Sequence, residues 1–121
     1  MVHKISFKLA WDGIVYAFKT QPNLRFHGFF GLFVISAGFF FQITKIEWFI
    51  ISFTILLMFT AEMINTALES MTDLITTEHR KTAKIAKDVS AGMVLINATG
   101  SVIVGLIIFI PYIYSLFIGN Y

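Results

Sequence analysis

The chain has 121 residues, of which 57% are hydrophobic and 13% charged, with a formal net charge of +2. So apolar a composition points to a single all-α membrane domain over residues 1–121 and excludes a water-covered soluble core. The lack of cysteine excludes a disulfide framework and a thiolate-held metal. The small positive charge argues against a nucleic-acid partner and leaves the basic residues as topology signals.

The chain opens Met-Val-His-Lys, with no small-residue cleavage site behind a short apolar core, which predicts no removable signal peptide. Residues 4–20 predict an amphipathic helix. Phe7, Ala10, Trp11, Ile14 and Phe18 share one face, and Lys4, Lys8, Asp12 and Lys19 lie largely elsewhere. A basic, aromatic helix of this kind lies in the plane of a membrane surface. Gln21-Pro22-Asn23 reads as a turn, because proline disfavours helix at the residue before it.

Residues 24–43 predict a first span, rich in Phe and Gly and broken only by Arg25, His27, Ser36 and Gln42. About 20 residues at about 1.5 Å each cross a hydrocarbon layer of about 30 Å. His27 reads either as an interface residue or as a functional group. Residues 44–47 read as a short turn beside the interface aromatic Trp48. A second span over 48–75 starts apolar and runs without a break into an acidic segment. A polar loop, 76–82, leads to a third span over 83–118, interrupted late by Pro111. On that span Asn97, Ser101 and Gly105 recur every fourth residue, a stripe suited either to contact between subunits or to packing within one.

Positive charge is asymmetric. Lys4, Lys8, Lys19 and Arg25 precede or open the first span, and Arg80, Lys81, Lys84 and Lys87 flank the second loop, against Lys45 alone at the opposite end. The positive-inside rule puts the N-terminus and the 76–87 segment in the cytoplasm, with residues 44–47 and the C-terminus outside.

The acidic segment carries the chemistry. Glu62, Asn65, Glu69 and Asp73 stand at i, i+3, i+7 and i+11, one stripe of a helix. A carboxylate at membrane depth costs about 2.5–3.5 kcal/mol, so the stripe calls for cations, a metal or a partner helix. The alternative is a helix leaving the bilayer with its acids among headgroups. Lys84, Asp88 and Ala91 share a face on the following helix, with Lys87 at its border, and a short loop makes the two helices antiparallel neighbours. Such a set supports phosphoryl transfer. Magnesium takes one or two carboxylates plus phosphate oxygens, lysine neutralises phosphate, and a further carboxylate takes a proton from an attacking hydroxyl. The alternative for the Lys–Asp group is an interfacial ion-pair network.

The string Glu62-Met-Ile-Asn65-Thr-Ala-Leu-Glu69, with Asp73 beyond it and Ala86-Lys87-Asp88-Val-Ser-Ala91-Gly92 on the next helix, resembles the signature of the bacterial membrane diacylglycerol kinase and undecaprenol kinase family. Trp11-Asp-Gly-Ile14, Asn23-Leu-Arg25-Phe-His27 and Asp73-Leu-Ile-Thr extend the resemblance almost end to end. The Asn-Leu-Arg-Phe-His segment is similar to the Gram-positive branch, whose members favour undecaprenol. The resemblance implies a homotrimer in the bacterial plasma membrane, with a surface helix and three spans per subunit and with active sites shared between neighbours at the cytoplasmic boundary. It also implies ATP as phosphate donor, Mg2+ and a membrane lipid alcohol as acceptor. By position, Glu62 matches the proton acceptor and Asn65 lies near the transferring group. Glu69 matches the metal-holding carboxylate. Glu78, His79 and Arg80 match the loop against the nucleotide, and Lys87 and Asp88 the pair contacting ATP. Trp11, Arg25, Glu62 and Ala91 match the lipid site.

One position departs. Where the family commonly has a second metal-binding glutamate just before the first span, this chain has Gln21, which offers an oxygen without charge. The main reading is an ATP-dependent lipid kinase. The other is a non-catalytic membrane oligomer, a pseudokinase or a small pore, to which only Gln21 points. A pore would need polar residues along the full depth of a span, whereas here they gather at one end.

Overall fold

In the computed structural model, which describes residues 6–119, all regular structure is helical. Ser6 opens the first helix, its Oγ accepting the Leu9 N–H, and α1 runs Phe7–Thr20. Residue 4, where the sequence starts this helix, and the charge of Lys4 lie outside the described residues.

The turn expected at 21–23 contracts to Gln21. Its extended backbone closes α1 through an N–H bond to the Ala17 carbonyl at 2.8 Å. Pro22 then begins α2, Pro22–Phe41, because at the first helical position its missing N–H is no loss and its fixed φ suits the helix. Gln42 ends α2 in the left-handed region, φ 50°, with its N–H on the carbonyls of Gly38 and Phe39.

The turn expected at 44–47 is instead the start of α3, Lys45–Ile75. Thr44 and Glu47 form a capping box: the Thr44 N–H donates to Glu47 Oε2 at 2.7 Å, and the Glu47 N–H donates to Thr44 Oγ1 at 3.4 Å. After a loop at 76–80 comes α4, Lys81–Ile118, which passes Pro111 unbroken. The interruption expected at Pro111 is therefore absent. The proline forgoes one main-chain bond, and the helix closes around it, Ser115 Oγ donating to the Pro111 carbonyl at 3.0 Å.

Three contacts register α3 against α4: Asp73 with Lys87, Asn65 with Ser90, and Glu47 with Tyr112. Their numbers rise on one helix as they fall on the other, so the pair is antiparallel over nearly its whole length. Ile43, Ile51 and Ile108 form the buried core at the end away from the 76–80 loop, with Phe41, Trp48 and Tyr112 packed on it. There α2 approaches closely because residue 38 is glycine: a Cβ at Gly38 would stand 2.8 Å from the Trp48 ring. At the other end α1 seats on α2 and α3 through buried Ala17 and through Phe18, whose ring lies 5.9 Å from that of Phe59.

α2, α3 and α4 are each long and apolar enough to cross a membrane. At about 1.5 Å per residue α3 extends about 46 Å and α4 about 57 Å, beyond a hydrocarbon core of about 30 Å. Large apolar side chains on the outer faces, Phe29, Phe33, Phe39, Ile96 and Ile107 among them, are exposed. A continuous apolar surface of this kind is a liability in water and ordinary in lipid. The chain is a multi-pass membrane protein, with α3 as its central helix.

Candidate active site at the loop end of the bundle

The polar stripe of α3 descends in depth. Glu62 is 1% exposed and Asn65 is buried, Glu69 is partly covered, and Asp73 is open. Eleven residues of helix separate the ends, about 16 Å. The gradient arises because α2 and α4 cover the Glu62 turn, while the Asp73 turn projects toward the loop.

At the deep end, His27 of α2 brings Nε2 to 3.3 Å from Glu62 Oε1. The ring is not aligned for a hydrogen bond, and Oε1 makes none among the described residues. One turn on, Asn65 is held from both sides: Ser90 Oγ donates to its Oδ1 at 2.6 Å, and its Nδ2 donates to Glu69 Oε1 at 3.1 Å. The amide thus hands its orientation to the Glu69 carboxylate.

At the open end, Lys87 Nζ donates to Asp73 Oδ1 at 2.6 Å across the helix pair. Arg80 donates to Glu78 Oε2 through Nε and Nη2, at 3.1 and 3.0 Å. The expected face of Lys84, Asp88 and Ala91 does not meet the stripe. Lys84 pairs with Asp88 along α4 itself, and the residues that turn to α3 are Lys87 and, three further on, Ser90. The helix rotation, set by the apolar seam that continues to Ile108, decides this. Asp73, Thr77, Glu78, His79, Arg80, Lys84, Lys87 and Asp88 together line a polar cavity of about 530 Å³. All five loop and α4 residues that sequence assigned to the nucleotide therefore line one space. Glu69 stands outside this lining, nearer the deep end.

A second, apolar groove of about 460 Å³ lies between α1, α2 and α3, lined by Phe18, Gly28, Phe29, Leu32, Ile55 and Phe59. Arg25 borders it, but its Nη1 donates to the Phe18 and Lys19 carbonyls at 3.1 and 3.0 Å, which makes it a cap on the end of α1. Trp11 and Ala91 are exposed on α1 and α4 and line neither space. Gln21 is partly covered at the α1–α2 link, and its side chain makes no hydrogen bond among the described residues. Asn97 and Ser101 are partly covered and bond to carbonyls of their own helix, while a Cβ at Gly105 would meet nothing within 4 Å.

Among the described residues no group of three or more His, Asp or Glu side chains converges to hold a metal. This donor set fits magnesium arriving on a nucleotide, since that ion keeps phosphate oxygens and water and takes only one or two carboxylates. Glu69, with one oxygen steadied by Asn65, could supply one.

Sequence reasoning missed Ser90 and left His27 open. A hydroxyl three residues after Lys87, on the same side of α4, was the available signal for Ser90.

A family model described as prokaryotic diacylglycerol kinase matches residues 8–109. A diacylglycerol kinase of Synechocystis sp. is 42% identical over 115 residues, 94% of this chain and 66% of that protein, so the chain spans just under two thirds of that relative. An undecaprenol kinase of Bacillus subtilis is 43% identical over 106 residues, 88% of this chain and 86% of that protein. A diacylglycerol kinase of Haemophilus influenzae is 33% identical over 91 residues, 75% of this chain and 77% of that protein.

Proposed function

The chain belongs to the prokaryotic diacylglycerol kinase family of lipid kinases, and from that premise we propose that it transfers the γ-phosphate of ATP to the hydroxyl of a membrane lipid alcohol. The acceptor is undecaprenol, giving undecaprenyl phosphate, or diacylglycerol, giving phosphatidic acid. Residues 1–121 act as one kinase domain in the bacterial plasma membrane. α1 lies amphipathically on the surface, the loop end faces the cytoplasm, and three copies assemble with shared sites.

The observation that carries this reading is the depth gradient on α3. A buried carboxylate, Glu62, shares one helix face with Asp73 in a polar cavity rich in cations, and Asn65 stands between them. A kinase acting on a membrane lipid needs this arrangement. The hydroxyl arrives from the apolar side and the nucleotide from water, and the two meet where neither solvent dominates.

In the reaction the lipid oxygen attacks the γ-phosphorus and the bond to ADP breaks, while Glu62 takes the hydroxyl proton. Lys87 turns from Asp73 to the phosphates as a point charge. Glu78, His79, Arg80 and Asp88 hold the nucleotide in the loop cavity. Glu69 and Gln21 would hold magnesium, which when bound neutralises the phosphate oxygens. Arg25, Trp11 and Ala91 border the lipid.

Purified protein given labelled ATP with undecaprenol or diacylglycerol in separate lipid discs tests the reading and chooses the acceptor. Glu62→Gln should lower turnover about 10²–10⁴-fold, as loss of a general base does, with nucleotide binding retained. Turnover above roughly a tenth of wild type would remove Glu62 from that role.

A further inference from the structure

Glu62 is the deepest charged side chain of the site, and its own helix offers it no donor. Thr66 spends its hydroxyl on the Glu62 main-chain carbonyl at 2.9 Å. Asn65 is committed to Glu69 and Ser90. The group that approaches comes from α2. His27 Nε2 stands 3.3 Å from Glu62 Oε1, with the imidazole itself only 20% exposed, and it is the one basic side chain within ion-pair distance of Glu62 among the described residues.

α2 delivers His27 there where it meets both α1 and α3. A Cβ at Gly28, the next residue, would lie in ordinary contact with Phe18 at 3.4 Å and Phe59 at 3.8 Å, so the three helices come together at this turn. Phe26 stands edge-on to the imidazole, the ring centroids 5.7 Å apart. Gly28 lines the apolar groove, while His27 and Glu62 lie outside its lining.

A carboxyl group acting as general base must be an anion when it accepts its proton, and a buried anion needs a donor or an opposite charge. We propose that His27 is a positioning residue for phosphorylation of the lipid: a small turn of its ring brings Nε2–H into line with Glu62 Oε1, 3.3 Å away at rest, and steadies the carboxylate, leaving the other oxygen to take the hydroxyl proton. The proton goes from the lipid hydroxyl to Glu62, the new O–P bond forms as the bond to ADP breaks, and His27 keeps its own proton. The inference rests on the reading of Glu62 as proton acceptor.

Kinetics of the full-length protein in lipid discs, with ATP and with whichever lipid alcohol it uses, test it. His27→Leu should lower kcat about 10²-fold, the effect of misplacing a catalytic group. The KM values for ATP and lipid should stay within about threefold, the pattern of an interaction made in the transition state. His27→Gln, which keeps an N–H at similar reach, should recover most of kcat. His27→Leu in a Glu62→Gln background should cost nothing further, because a residue acting through Glu62 has nothing left to position.

His27→Leu with near wild-type kcat overturns the proposal. So does a loss that His27→Gln does not relieve, or one that adds in full to that of Glu62→Gln. A Glu62→Gln protein that stays active instead removes the reading of Glu62, and this inference with it. An inactive Glu62→Gln beside a fully active His27→Leu removes the inference alone. Should His27→Leu fail to assemble, His27→Gln against the shorter His27→Asn carries the test: Gln should be about tenfold faster, and equal rates overturn the proposal.

Discussion

Ser90 on α4 donates to the side-chain oxygen of Asn65 on α3 at 2.6 Å, and this one bond fixes the amide that in turn holds Glu69. Asn65 is buried, so its two ends are not free to exchange roles. The Glu69 carboxylate, which only accepts, draws the NH2 end toward itself, and the Ser90 hydroxyl donates to the oxygen left facing α4.

Ser90→Ala should therefore act twice. It strands a buried acceptor, which costs about 1–3 kcal/mol, and the thermal midpoint in detergent should fall accordingly. It also frees the Asn65 amide to turn, so the magnesium concentration needed for half-maximal activity should rise several-fold. An unchanged midpoint with an unchanged magnesium curve would show that the Asn65 orientation is held by something else.

Lys87 and Asp73 are each about half exposed at 44% and 56%, and exposed pairs contribute about 0–1 kcal/mol. Lys87→Ala should leave stability nearly unchanged while raising KM for ATP about tenfold or more, since a phosphate contact is worth more than the resting pair. Asp73→Asn removes the competitor for that lysine and should lower KM for ATP. A higher KM in Asp73→Asn would mean that Asp73 itself serves the nucleotide. Glu69→Ala should also weaken ATP use, and added magnesium should relieve this in part. An unchanged apparent ATP affinity would exclude Glu69 from the metal.

Gln21 stands where the resembling family carries a glutamate. If residue 21 helps to hold magnesium on the nucleotide, Gln21→Glu should raise activity at low magnesium and change little at saturation, because the added charge strengthens ion binding and leaves the chemical step alone. Activity in the variant with none in wild type would identify a degenerate kinase. Identical titrations with good activity in both proteins would show that residue 21 has no metal role here.

Gly38 faces the Trp48 ring too closely for any side chain. A Cβ there would lie 2.8 and 2.9 Å from two ring carbons and 3.1 Å from Ile43. Gly38→Ala should destabilise the α2–α3 hairpin by about 1–3 kcal/mol, the usual cost of overpacking, although alanine is the better helix former. A rise in the thermal midpoint would show that the indole moves aside without cost.

The sequence by itself determined the three apolar helices, the loops between them and the single face shared by Glu62, Asn65, Glu69 and Asp73, because each depends on periodicity within one helix. It also held the strings Glu62-Met-Ile-Asn65 and Ala86-Lys87-Asp88 that mark the family. Element ends were less legible. Pro22 and Pro111 read as breaks, but one sits where a helix starts and the other inside a long helix that tolerates one missing bond. The Thr44–Glu47 capping box turned an expected turn into helix. What only the tertiary structure decided is which side of each helix meets its neighbour. Lys84 and Lys87 are the same residue type, only three residues apart. The rotation of α4 that buries Ser90 and Ile108 turns Lys87 to Asp73 and leaves Lys84 to Asp88. In the same way, nothing local to residues 24–43 tells an interface histidine from one that meets Glu62. That contact exists because α2 packs on α3 at this turn, and a crossing is set by packing across helices that no single stretch of sequence contains.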